Sequence, residues 1–266
     1  LKELTRINAA LLRSSPGTSN QAQLLDSRDT ELATITKNIN VEISFGPNGT
    51  AVLGYGGTTI LQGETASSFS VTQNTNGTLN MLLQGNPVAA PTDGALSGTF
   101  QSAVIADQRL TSLDQLAVQF ATDVNAWHAQ GFTDAGAAGG PLVSVGTTAA
   151  SLAVAISNIS QIAAKSADGR LNGNLLNVST IRGTASVEQG WTALVVAHGN
   201  VLNTTKLEQA SAQSRDENAR ASRERVSGVD LDMEAADLVR TQQAYQAAAK
   251  VIQVARDTID SILRIN

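Results

Sequence analysis

The chain has 266 residues, of which 42% are apolar but only 3% aromatic, with a net charge of −5 and no cysteine. That length supports one large or two to three small domains with real cores, and the weakly acidic balance gives no positive field to hold nucleic acid. Without thiols there are no disulfides, thiol nucleophiles or zinc–thiolate sites, and a core of Ala, Leu, Val and Ile suits closely packed long helices better than an aromatic-lined ligand pocket.

The first residues, Leu1-Lys2-Glu3-Leu4, lack an initiator Met and the charged-then-apolar order of a signal peptide. The chain is therefore expected to start inside a helix, at a trimmed or processed boundary. Leu4, Ile7, Leu11 and Leu12 have helical spacing up to the break at Ser14-Ser15-Pro16-Gly17. A second helix is expected from about Asn20 to Ile39, with Leu24, Leu25, Leu32, Ile35 and Ile39 on one face and Asp26, Arg28, Asp29 and Glu31 on the other. These charges read as surface ion pairs, not as paired catalytic acids.

The period then changes to two. Val41, Ile43 and Phe45 alternate with polar residues, and Asn48-Gly49 and Asn76-Gly77 each separate β-prone runs. Asn-Gly is a strong hairpin signal, because a type I′ turn needs positive φ at both central residues. Residues 41–99 are thus expected to form a β-domain, closed by Pro87, Pro91, Gly94 and Gly98. Gly54-Tyr55-Gly56-Gly57-Thr58 reads as a tight turn within it, since no Lys-Ser/Thr follows to make a phosphate loop.

A helical pattern returns from about Gly98 to Gln130, with Val104, Leu110, Leu113, Leu116, Ala117, Phe120, Val124 and Trp127 on one broad face. Residues 131–141 read as a loop. Residues 142–185 read as a small α+β insertion, in which Leu152 to Ile156 fits either a strand or a helix and Ser166 to Gly173 a turn. A third stretch of helical body is expected over 186–229, through Val187, Trp191, Leu194, Val195, Val201, Leu202 and Leu207, interrupted at Val226 to Val229. Its charged run, Arg215 to Arg225, nearly balances its signs and fits a solvated face or a salt-bridged contact with a neighbouring subunit.

The last helix, expected over 230–266, is the most informative element. Asp230, Asp232 and Glu234 occupy the first turn, where acids favour the helix dipole. Leu231, Ala235, Leu238, Gln242, Tyr245, Ala249, Ile252, Ile259 and Leu263 form a heptad-like seam over more than four heptads, broken by the polar Gln242 and Arg256. Val239, Ala248, Ala255 and Ile262 broaden it to an ordinary 3.6-period face, and the expected assembly interface is this seam with Ile262. Burial of five or six such aliphatic side chains contributes roughly 10 kcal/mol as an upper estimate. The face completes the chain's own core or serves as an assembly interface.

Candidate chemistry is thin. His128 and His198 are the only histidines, and both read as helix residues contacting carbonyls or a carboxylate. No Gly-x-Ser-x-Gly nucleophile turn occurs. No enzyme activity, catalytic residue, metal or cofactor is expected, and no apolar run of about 18 residues exists to cross a membrane.

The run Val226-Ser227-Gly228-Val229-Asp230-Leu231-Asp232-Met233-Glu234-Ala235-Ala236-Asp237-Leu238, followed by Gln242-Gln243-Ala244-Tyr245-Gln246-Ala247-Ala248-Ala249, resembles the ending shared by flagellar axial proteins. Leu24 to Asp29, directly ahead of a β-domain, and Leu113-Asp114-Gln115-Leu116-Ala117 through Val124-Asn125-Ala126-Trp127-His128-Ala129-Gln130-Gly131 are similar to the hook-associated FlgK family. Such proteins open with an Asn- and Ala-rich segment that does not precede Leu1, so the likeness is to an N-terminally truncated member. The resemblance implies a structural, extracellular subunit joining hook to filament and exported unfolded by the flagellar type III route. It also implies partners: further copies, the hook and a second junction protein, and an export chaperone on the last helix. Other readings are a hook protein or flagellin relative, or a secreted adhesin using the β-domain. The fold expected is mainly α with inserted β: long antiparallel helices carrying a β-domain and a second small α+β insertion.

Overall fold

A computed structural model describes residues 1–183, 185–227 and 231–263, with the side chains of residues 227, 231, 258 and 260–263 outside the description. Two compact units are present, Leu1–Val195 and Val196–Asn266. The architecture is mainly α with inserted β.

In the first unit, α1 (Lys2–Arg13) turns through residues 14–18 into α2 (Ser19–Asn38), which Thr18 caps by accepting a hydrogen bond from Gln21 N–H. Leu4, Ile7 and Leu11 are buried, but Leu12 is exposed. The centre of the buried stripe is taken by Asn8, which lies between Leu4 and Leu11 at helical spacing. Its Nδ2 donates to Ala51 O at 2.8 Å and Gly63 O at 3.2 Å, while its Oδ1 accepts from Ala51 N–H at 2.8 Å. One polar side chain thus fastens α1 to the β-layer.

That layer has two antiparallel sheets. The first runs in the order β1 (Glu42–Phe45), β2 (Ala51–Tyr55), β3 (Thr58–Gln62), β4 (Thr65–Ala66). The second is β5 (Phe69–Gln73), β6 (Leu79–Leu83), β7 (Asn86–Val88). Alternation on β2 sends Ala51, Leu53 and Tyr55 inward to meet Leu4, Leu32, Ile35, Ile39, Ile60, Leu61, Met81 and Phe100. The Tyr55 hydroxyl donates to Ala89 O at 2.7 Å, and its ring meets Phe69 edge-on at 5.4 Å.

The turns differ from the sequence expectation. Gly56-Gly57, with φ 55° and 76°, makes the two-residue turn between β2 and β3. Asn48-Gly49 also has two positive φ values, but within a 3₁₀ turn over Pro47–Gly49. At Asn76-Gly77 only Gly77 is positive; the loop is a wider one, closed by Asn74 N–H to Thr78 O. Gln84-Gly85, not anticipated, makes a second two-residue turn with φ 51° and 83°. On β1, Ile43 and Phe45 are exposed, because an edge strand carries its inward side chains past the rim of the core. Strand pairing ends at Val88, and α3 (Gly94–His128) begins before the expected Gly98.

The 35 residues of α3 span about 50 Å. One continuous apolar face is not what it buries. Ser97 and Phe100 pack near its start and Ala117, Ala121, Val124 and Trp127 near its end, while Val104, Leu110 and Phe120 are exposed. The helix is longer than either layer it serves, so its two ends belong to different local cores.

Beyond α3, irregular chain carries a two-stranded ladder, β8 (Val143–Ser144) with β9 (Ala153–Val154), and a single-turn helix, α4 (Gly173–Leu176). Leu152 to Ile156 therefore contributes a short strand. The helix α5 (Val187–Ser227) starts in this unit, and the second unit holds the rest of it with α6 (Leu231–Leu263). Gly228, Val229 and Asp230, where the interruption was expected, lie outside the described residues, as do residues 264–266.

Replacing Asn8 by Leu should leave the N–H and C=O of Ala51 without their side-chain partner, at about 1–3 kcal/mol for each buried group left unpaired. A lowered urea midpoint with an unchanged m-value would register it.

Candidate functional site

The segments that carry the family likeness prove to be fasteners. Arg28, expected on a surface ion-paired face, is instead largely buried, its side chain 12% exposed. Its Nη1 donates to Gly49 O at 2.5 Å, its Nε and Nη2 to Asp29 Oδ1 at 2.9 and 2.6 Å, and its guanidinium stacks 4.3 Å from the Phe45 ring centroid. The α2 motif therefore grips the loop between β1 and β2.

Toward the C-terminal end of α3, four side chains of the motif hold irregular chain. The Asp114 carboxylate accepts from Ala149 N–H at 2.6 Å. Asn125 accepts from the N–H groups of Leu142 and Val143 and donates to Val143 O at 2.9 Å. Trp127 Nε1 donates to Asn174 O at 2.9 Å, and Asn174 Nδ2 donates to Ala163 O at 2.9 Å. His128 is fully buried. Its Nε2 accepts from Ala163 N–H at 2.8 Å, so the proton sits on Nδ1, which donates to Gly140 O at 2.7 Å. Both ring nitrogens are consumed by the main chain, in line with the structural reading of this histidine. His198 is exposed on α5. Among the described residues no cluster of three metal-ligating side chains occurs, and no helix is long and apolar enough to cross a membrane.

Gly131 and Gly139 let the loop close. A Cβ on Gly131 would enter the space of Ala163 O and the Asn174 amide, and one on Gly139 that of His128 O. Asn8, Asn125 and Asn174 were not singled out by sequence pattern. A polar residue at the centre of an apolar stripe marks Asn8, whereas Asn174, in the single turn of α4, has too short a helix for a periodic signal.

The residues expected to form an assembly face lie on α6. Ala235, Leu238, Gln242, Tyr245, Ala249, Ile252 and Ile259 are all exposed, Leu238 at 70%, Tyr245 at 77% and Ile252 at 66%. The backbone of Leu231, Ile262 and Leu263 is helical, and their side chains lie outside the described residues. The charged run of α5 is exposed too, stitched by Arg220 to Asp216 at 2.8 Å and Gln213 to Glu217 at 3.0 Å. On α6, Arg240 lies 3.3 Å from Asp237. Such exposed pairs one turn apart stabilise a helix by a few tenths of a kcal/mol.

A groove of about 330 Å³ beside the β-layer is lined by Ile35, Ile39, Ile60, Phe69 and Met81. Its walls are mainly aliphatic, with the Phe69 ring and the polar residues Thr34, Asn38 and Ser70 among them.

The model of the family described as "Flagellar hook-associated protein FlgK helical domain" matches residues 1–143, a little over half of the 266 residues. The chain belongs to the FlgK family. The model described as "Flagellar basal body rod FlgEFG protein C-terminal" matches residues 223–265, which include α6. Among solved structures, that of the flagellar hook junction protein FlgK from Burkholderia pseudomallei is 24% identical with a TM-score of 0.41, covering 55% of this chain and 29% of that one. The match thus spans less than a third of the length of that FlgK chain. No curated protein matches.

Gly131→Ala should cost about 3 kcal/mol or more, in the range of overpacking a tight site. Gly140→Ala, where a Cβ meets open space, should stay within about 0.5 kcal/mol of the parent. Parallel urea unfolding of the two variants checks the contrast.

Proposed function

We propose that this chain is a structural subunit of the bacterial flagellum that joins hook to filament through α6 packed against neighbouring subunits. The observation that carries this reading is the exposed, mostly apolar face of α6, repeated at three–four spacing from Ala235 to Ile259 and broken by Gln242 and Arg256. An apolar stripe of that length left in water invites association. Its covering would contribute about 1.5–3 kcal/mol for each large aliphatic side chain, as an upper estimate. Family membership supplies the setting: a hook-associated component, with further copies and neighbouring axial proteins as partners, outside the cell after unfolded export. An export chaperone that binds α6 before assembly fits the same face, since it would shield the stripe in transit.

The division of labour follows. Residues 1–40, 100–141 and 186–229 form the helical body, 41–99 and 142–185 are the insertions it carries, and 230–266 is the assembly helix. No catalytic residue or cofactor enters this reading.

Deleting residues 231–266 should leave a folded, soluble body whose residues 1–195 melt as in the full chain, but which no longer assembles in sedimentation or electron microscopy. The paired change Leu238→Asp and Ile252→Asp should abolish assembly with little loss of monomer stability, because both side chains are exposed. Normal assembly by either variant would overturn the proposal. Amides of α6 should exchange rapidly in dilute solution and become protected on assembly. Protection equal to that of the body at low concentration would mean that the stripe is already covered.

A further inference from the structure

The chain holds three Asn-Gly pairs, at 48–49, 76–77 and 172–173, and the structure treats them unequally. Gly49 lies under Leu25 and Arg28, 2.7 and 3.1 Å from where a Cβ would stand. Gly173 is buried against Ser166 and Arg170. Asn76-Gly77 sits instead at the exposed tip of the β5–β6 hairpin, where the nearest atom to a Cβ on Gly77 would be Gln73 Nε2, at 3.9 Å.

The Asn76 side chain is also arranged for reaction. Its Oδ1 accepts two hydrogen bonds, from Thr78 Oγ1 at 2.7 Å and Thr78 N–H at 3.3 Å. Thr78 Oγ1 in turn accepts from Asn74 Nδ2 at 2.9 Å, which directs its proton toward Asn76. Two donors aimed at an amide oxygen polarise the carbonyl and stabilise the negative charge that grows on it under attack. The amide nitrogen donates to Asp107 Oδ2 of α3 at 3.0 Å, and this bond ties the hairpin tip to the helix.

We infer that Asn76 is a self-modifying site that deamidates through Gly77 and thereby cuts the tie between the hairpin tip and α3. The Gly77 nitrogen, released from its bond to Asn74 O, forms a new bond to Asn76 Cγ and gives up its proton. The Cγ–Nδ2 bond breaks, and ammonia leaves carrying that proton. Water then opens the five-membered imide at either carbonyl, giving aspartate or isoaspartate. No oxidant, metal or enzyme is required. The new carboxylate faces Asp107, so an attractive hydrogen bond becomes a repulsion between like charges.

The test is incubation of the full chain at neutral pH and body temperature, followed by peptide mass spectrometry with isoaspartate detection. Position 76 should gain one mass unit about tenfold faster than 48 or 172, with isoaspartate present, since only the cyclic route makes it. Thr78→Val, which removes the hydroxyl donor, should slow the reaction by about tenfold, a reduced form of the loss seen when a buried oxyanion donor is removed. Thr78→Ser should retain the rate. Equal rates at the three sites, product free of isoaspartate, or a Thr78→Val rate at or above the parent's would overturn the assignment. Aged protein and Asn76→Asp should both show faster amide exchange over 74–78; unchanged exchange in both would refute the loss of the tie.

Discussion

Buried main-chain groups outside regular ladders need partners, and supplying them is the constraint on which the body of this protein rests. With few aromatic rings to fill space, its irregular segments are held by polar side chains projecting from helices. Asn8 holds Ala51, Asn125 holds Leu142 and Val143, His128 holds Ala163 and Gly140, and Asn174 closes the ring with Trp127. Each uses its donors and acceptors as fully as a backbone would, and no buried side-chain polar atom is left unpaired among the described residues. The β-layer adds a conventional aliphatic core. Asn8, Asn125 and His128 fall within residues 1–143, which the FlgK helical-domain model matches, whereas Asn174 lies beyond them.

The terminal helix obeys a different economy. Local pairs such as Arg240 with Asp237 and the Ala-rich centre favour a helix, but a helix in water draws most of its stability from an apolar face packed on something else. On α6 that face is open. The chain thus separates a body satisfied by its own side chains from a helix whose largest available free-energy gain lies in association.

Helices and strands were largely legible, because period 3.6 and period 2 follow from backbone geometry. The burial of particular residues was less so. Leu12, Val104, Leu110 and Phe120 fit their stripes yet face solvent, because periodicity assigns a side to a residue without saying how far the neighbouring layer extends. Arg28 looked like a solvated charge, and only the approach of Phe45 and Gly49 made it a buried clamp. The Asn-Gly pairs read alike in sequence, but their turns differ because the flanking contacts differ.

The sequence by itself determined the mainly helical class with its β insertion, the absence of thiol chemistry, and the apolar repeat of the last helix. Each depends on composition or local period. Only the tertiary structure decided which polar side chains carry the body, how His128 spends both ring nitrogens, and how freely each Asn-Gly pair sits. Those outcomes turn on contacts between residues tens of positions apart, whose distances no local pattern encodes.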